Sequence, residues 1–147
     1  MSRARYVAVK ELNHTSSGQV GEHIAAAAIL QRGWGVALAS QDSVDLVAWN
    51  KETGQRLLIQ VKSAQISRGS RRKLEFQLGL GGKKRLPTKH DFDIMALVSS
   101  EQRVVYFMPV TAINQKKMNK LPEFFERPDI EVDSWHKSIE ELQHDIT

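Results

Sequence analysis

The stretch that most limits how this chain can fold covers residues 43–63, which read S-V-D-L-V-A-W-N, K-E-T-G and Q-R-L-L-I-Q-V-K-S. Two apolar, β-branched runs flank a short polar segment ending in Gly54, the pattern of two strands joined as a hairpin. With residues 51–54 as the loop, Asn50 pairs with Gln55, and the same count sets Asp45 opposite Gln60. Residues so paired share a face, with Cβ atoms about 4.5–5.5 Å apart. Because side chains alternate along a strand, Lys62 falls on that face as well, and Ile59 and Val61 point into the opposite layer.

An acid, an amide oxygen and an ammonium are thereby expected at one spot. A hard cation such as Mg²⁺ takes oxygen ligands, so the Asp45 carboxylate and the Gln60 carbonyl are candidates to hold one. Lys62 would steady an attacking water or the charge that develops on a phosphate. The competing reading is an ordinary half-exposed hairpin with three polar residues on its wet face.

Charge is unevenly distributed along the chain. Residues 68–89 hold eight basic side chains (Arg68, Arg71, Arg72, Lys73, Lys83, Lys84, Arg85 and Lys89) against one acid, Glu75, whereas residues 121–147 hold eight acids against two bases. A basic segment beside a candidate metal site suits a polyphosphate partner, since each neutralised phosphate releases counterions. A solubilising charged loop is the alternative. The clustering of one sign favours nucleic acid.

Composition narrows the class. At 147 residues and 41% hydrophobic content the chain suits one core, so a single domain is expected over residues 1–147, with its centre at about 16–118 and an acidic extension at about 119–147. No apolar run approaches the ~20 residues of a membrane span, and the start M-S-R-A-R-Y has no signal-peptide core. With no cysteine in the sequence, disulfides and thiolate metal sites are excluded. A soluble, intracellular protein is the expectation.

In chain order, residues 1–13 read as an edge strand or a frayed helix, with Arg3, Arg5 and Lys10 as further phosphate contacts. Ser16 and Gln19 have the spacing of a capping box, predicting a largely buried, alanine-rich helix over about 17–32 that ends at Gly33. Glu22 falls in its expected first turn, either as a partner of the helix dipole or as a third acid at the metal site. The run G-V-A-L-A-S is a strand leading into the hairpin. Alternation of Leu74, Phe76, Leu78 and Leu80 with polar or small residues predicts a strand with one buried face. Residues 79–85 read as a mobile, glycine-rich basic loop. Residues 92–98 and 104–110 read as strands buried on both faces, with Asp93 as a strand-end acid capping backbone donors. Thr111 is expected to open a short helix through Lys117. Ser134 is expected to open a last helix with Trp135, Ile139 and Leu142 on one stripe, packed away from any nucleic acid.

Other chemistries lack their residues. The five histidines show no zinc-site spacing, and there is no G-x-S-x-G elbow and no G-x-G-x-x-G after a strand. A phosphate-binding P-loop would need glycine at Gln77 and Ser or Thr at Lys84. Pro128-Asp129 is a decoy, because I-E-V-D follows it with no lysine, in an acidic tail that would repel phosphate.

Gly21-Glu22 in an alanine-rich helix, then Asp45 on a strand, then Gln60-Val61-Lys62 on the next, resembles the PD-(D/E)xK nuclease superfamily. Within it the chain is similar to the small branch holding an intron-encoded homing endonuclease and Holliday-junction-resolvase-like proteins. The resemblance covers roughly residues 18–110. It implies an α/β fold, a restriction-endonuclease-like core in which a mixed β-sheet is flanked by helices, and cleavage of duplex or branched DNA with Mg²⁺, for which Mn²⁺ substitutes. It also implies that Glu22, Asp45 and Gln60 bind metal and that Lys62 is the catalytic lysine, all four forming the catalytic set. A homodimer or dimer of dimers is expected, and a nucleoid-associated location in a bacterial or phage-like setting. Val44 stands where the motif has proline, and Gln60 where it has an acid, which weakens metal affinity and places more weight on Glu22. A non-catalytic DNA-binding protein that kept the fold is the alternative. The contact surface is expected at the F-M-P-V strand end and at Phe124 and Phe125, which otherwise fill the subunit's own core, Phe124 ahead of Phe125.

Overall fold

The structure, a computed structural model, describes residues 14–41 and 43–146. Arg3, Arg5 and Lys10 lie outside the described residues. Helix α1 (His14–Gln31) ends where Gly33 takes a φ of +86° and donates its N–H to the Leu30 carbonyl at 2.9 Å. That left-handed turn is open to glycine at no steric cost. The helix starts ahead of Ser16, so the Ser16/Gln19 pair does not open it. Glu22 consequently lies two turns in, away from the dipole's positive end, and no acid occupies the first turn. Burial is also narrower than expected: Ala25, Ala28 and Ile29 face the sheet, while Val20 and Leu30 are exposed.

Five strands form the main sheet: β1 (Gly35–Gln41), β2 (Val44–Trp49), β3 (Arg56–Ala64), β5 (Ile94–Ser99) and β6 (Val104–Pro109). Their order is β1-β2-β3-β5-β6. The β3–β5 pair is parallel and the other three pairs are antiparallel, so the sheet is mixed. The remaining strands, β4 (Leu74–Gln77) and β7 (Lys117–Lys120), form a separate antiparallel ribbon.

Two apolar layers hold these pieces together. On one face, α1 and α2 (Ile130–Ile146) cover a core of Ala25, Ile29, Leu46, Ile59, Val61, Ile94, Phe107 and Trp135. On the other, the ribbon covers Leu74, Phe76, Met95, Leu97, Met108 and Phe125. Strand β5 is buried at every position because its alternate residues serve both layers, and this is why its sequence is apolar up to its last residue, Ser99.

Helix α2 begins at Ile130, one turn before Ser134. Ser134 is buried and accepts the Phe107 N–H at 3.0 Å, and Glu131 accepts that of Val105 at 2.9 Å. These bonds occupy the outer edge of β6, which would otherwise be open to a further strand. Trp135 and Leu142 enter the helix-side core, with Ile139 packed beside them, so the acidic tail lies in the layer opposite the ribbon. The helix expected over 111–117 does not form. A 3-10 turn (Val110–Ala112) leads instead into β7.

The surfaces expected to mediate oligomer contact are used inside the subunit. Phe107, Met108 and Val110 are buried, and Phe125, at 2% exposure, is the more buried of the two phenylalanines. Phe124 packs edge-on to Tyr106 at the rim of the ribbon-side core. Among the described residues no helix is long and apolar enough to cross a membrane.

Candidate functional site

The β2–β3 hairpin forms in the register read from the sequence. Trp49 pairs with Arg56 and Leu46 with Ile59, and the Asn50 N–H donates to the Gln55 carbonyl at 2.8 Å. The loop is closed by Asn50, whose side-chain oxygen accepts the N–H groups of Glu52 and Thr53, and by Gly54 at a φ of +78°. One step beyond Leu46 and Ile59 the same count sets Asp45 against Gln60. There the backbone ladder stops, and Asp45 Oδ2 accepts the Val61 N–H at 2.7 Å in place of a carbonyl. Irregular pairing of β1 with β2 between Leu38 and Gln41, together with Ser43 at a φ of +66°, turns the chain away at this point.

Three further side chains meet Asp45 where β2 leaves β3. Glu22 arrives from α1, and its pKa is raised first by partial burial, then by the charge of Asp45 and a hydrogen bond with it. Lys62 is half-buried. Burial pushes its pKa down and the nearby Lys84 adds to this, against the pull of Asp45. Gln60 is buried, and its Oε1 is a solvent-shielded acceptor without a hydrogen-bond partner. A polar atom in that state costs about 1–3 kcal/mol unless a ligand supplies the missing contact.

Close approach of α1 brings Glu22 within reach. A Cβ on Gly21 would overlap the Ser63 hydroxyl and stand 3.0 Å from the Ser63 Cβ, so glycine lets the helix sit this near β3 without displacing that side chain. The result is two carboxylates and an orphaned amide oxygen beside a lysine. This oxygen-only donor set fits a hard divalent cation, with the remaining positions left to water and phosphate. Among the described residues no group of three or more His, Cys, Asp or Glu side chains is arranged to hold a metal.

The eight basic candidates divide. Arg68 reaches Glu101 at 3.6 Å and Lys73 reaches Glu75 at 3.9 Å. Arg85 grips Asp91 with both guanidinium nitrogens at 2.7 and 2.9 Å. Asp91 also accepts from the Thr88 N–H, and with the Arg85 bonds as the main cause its pKa falls far below the ordinary carboxylate range. Arg85 is therefore a structural cation of its loop. Arg71, Arg72, Lys83, Lys84 and Lys89 are exposed. The glycine-rich segment is a closed turn in which Leu80 and Arg85 exchange backbone hydrogen bonds at 2.8 and 3.0 Å. Gly79 belongs there because an added Cβ would stand 2.9 Å from the Lys84 backbone.

Asp93 caps a strand as expected, accepting the Leu58 N–H at 2.8 Å. Asp129 sits at the start of α2 with a φ of +66°, away from the site. Lys117 and Lys120 of the second ribbon strand, with Lys116 just before it, were not among the basic residues expected from the sequence. Their only signal was K-K-M-N-K, a run with one apolar residue and no visible period.

No protein-family model matches this sequence, and no curated protein matches it. The fold does have a counterpart among solved structures. The chain is similar to a bacterial homing endonuclease, I-Ssp6803I, with a TM-score of 0.69 over 92% of this chain and 99% of that one, at 19% sequence identity.

Proposed function

We propose that this protein is a metal-dependent DNA endonuclease of the PD-(D/E)xK type, with Glu22, Asp45 and Gln60 as ligands for Mg²⁺ or Mn²⁺ and Lys62 as the catalytic lysine. The observation that carries the reading is the buried, unpartnered Oε1 of Gln60 next to the Glu22–Asp45 pair, in which burial, the charge of Asp45 and a hydrogen bond between the two raise the Glu22 pKa. Likeness in fold to a homing endonuclease supports it.

A divalent cation held by Glu22, Asp45 and Gln60 would supply positive charge for the scissile phosphate and lower the pKa of a bound water. The chain's own groups do the rest. Asp45 is fixed by the Val61 N–H, so its second oxygen is pre-positioned. Lys62, on the same face of β3 as Gln60, points its ammonium to the attacking water or to the phosphate oxygen that gains charge. Exposed Arg71, Arg72, Lys83 and Lys84 hold the DNA backbone. One such site hydrolyses one strand, so cutting a duplex or a four-way junction in register calls for a second copy related by a two-fold axis. Plasmid nicking with Mg²⁺ or Mn²⁺, abolished by EDTA, is the expected result. Equal nicking in EDTA, or none with either metal, would sink the proposal.

A further inference from the structure

The outer face of the β4–β7 ribbon takes no part in the site described above. Leu74 and Phe76 point into the core at 0% and 1% exposure, so Glu75 and Gln77 point outward. Across the ladder Glu75 stands opposite Asn119 and Gln77 opposite Lys117, and all four are exposed. Glu75 is screened by Lys73 at 3.9 Å and Lys117 at 3.3 Å, leaving the centre of the patch polar and nearly neutral. The amides of Gln77 and Asn119 have no hydrogen-bond partner among the described residues.

Both ends of the ribbon are basic. Arg71, Arg72 and Lys73 lead into β4 at one end. At the other, the Lys116 carbonyl accepts the Leu78 N–H at 2.8 Å, and the turn that follows carries Lys83 and Lys84.

We propose that the outer ribbon face enters the major groove of duplex DNA and reads base edges, with Gln77 and Asn119 determining sequence preference and the terminal cations resting on flanking phosphates. The inference rests on DNA being the substrate. Two strands about 4.8 Å apart form a ribbon that the ~12 Å major groove of B-DNA admits. Side-chain amides there pair bidentately with the N6 and N7 of adenine, and a carboxylate accepts from the cytosine N4 amino group. Phosphate contacts fix register without carrying sequence, which matches the division between amide centre and basic ends. The deep, narrow major groove of duplex RNA does not admit such a ribbon.

The test is enrichment of a randomised duplex DNA library on the full chain in EDTA, so that cleavage plays no part. Wild type is expected to enrich a motif. The Gln77→Ala/Asn119→Ala variant should lose about 5- to 150-fold discrimination per base pair read, the equivalent of ~1–3 kcal/mol, and keep its affinity for non-specific DNA. Gln77→Glu should shift the preferred base from adenine toward cytosine, a gain that an unfolded protein cannot show. Arg71→Ala/Arg72→Ala should weaken all sequences alike and leave the motif intact. An unchanged motif in both ribbon variants overturns the proposal, as does wild-type binding without sequence preference or no binding to duplex DNA. Failure of metal-dependent nicking counts against the nuclease reading alone, because the enrichment needs no metal.

Discussion

Asp45 serves both the sheet and the candidate chemistry. Its carboxylate replaces a main-chain carbonyl for the Val61 N–H, so Asp45→Ala strands a backbone donor, at a cost of about 1–3 kcal/mol. Asp45→Asn keeps an acceptor oxygen and removes only the charge, which makes it the cleaner probe. Gly21 is the other residue on which the site depends. Gly21→Ala should destabilise the fold by about 1–3 kcal/mol through overpacking against Ser63, and urea unfolding with parallel nicking assays should show both falling together. At this scale the hairpin was legible, since a four-residue loop ending in glycine and strict alternation determine which residues face each other. The position of Glu22 was not legible, because helix packing brings it to Asp45 and no spacing in the sequence encodes that approach.

Among the elements, the doubly buried β5 and the apolar stripe of α2 were legible, whereas β6, expected to be buried on both faces, leaves Val104 and Tyr106 only partly buried. A helix was expected over 111–117, where the chain instead makes a 3-10 turn and a connection into β7. Strand β7 forms by pairing with Leu74–Gln77 over the ribbon-side core, and that pairing bridges 40 to 46 residues of sequence. Its K-K-M-N-K run has no period by which a local reading could detect it. The loop between β4 and β5 owes its shape to Asp91. The Asp91 pKa is depressed from 3.8 in the folded chain, so its contribution is complete above that value and lost as pH falls below it. Asp91→Asn should thus lower stability at pH 7, and the difference from wild type should shrink toward pH 2, as measured by chemical unfolding at both pH values.

The whole molecule places the acidic helix α2 and the basic ribbon on opposite faces of one sheet, so one face repels a polyanion and the other attracts it. Replacing Arg71, Arg72, Lys83 and Lys84 with alanine should flatten the slope of log affinity against log salt by about 0.9 for each phosphate that is no longer neutralised. An unchanged slope would show that these side chains only solvate their loops. A working oligomer predicts sedimentation above the 16.6 kDa of one chain at micromolar concentration with duplex DNA present, after allowance for the mass of the DNA. One copy per duplex would limit the protein to nicking. The central claim, that Asp45 and its neighbours form a metal-dependent hydrolytic site, is tested most directly by the initial rate of Mg²⁺-dependent plasmid nicking by Asp45→Asn, alongside its DNA affinity. The account predicts a rate at least ~10²-fold below wild type with affinity nearly unchanged, and a wild-type rate in this variant would contradict it.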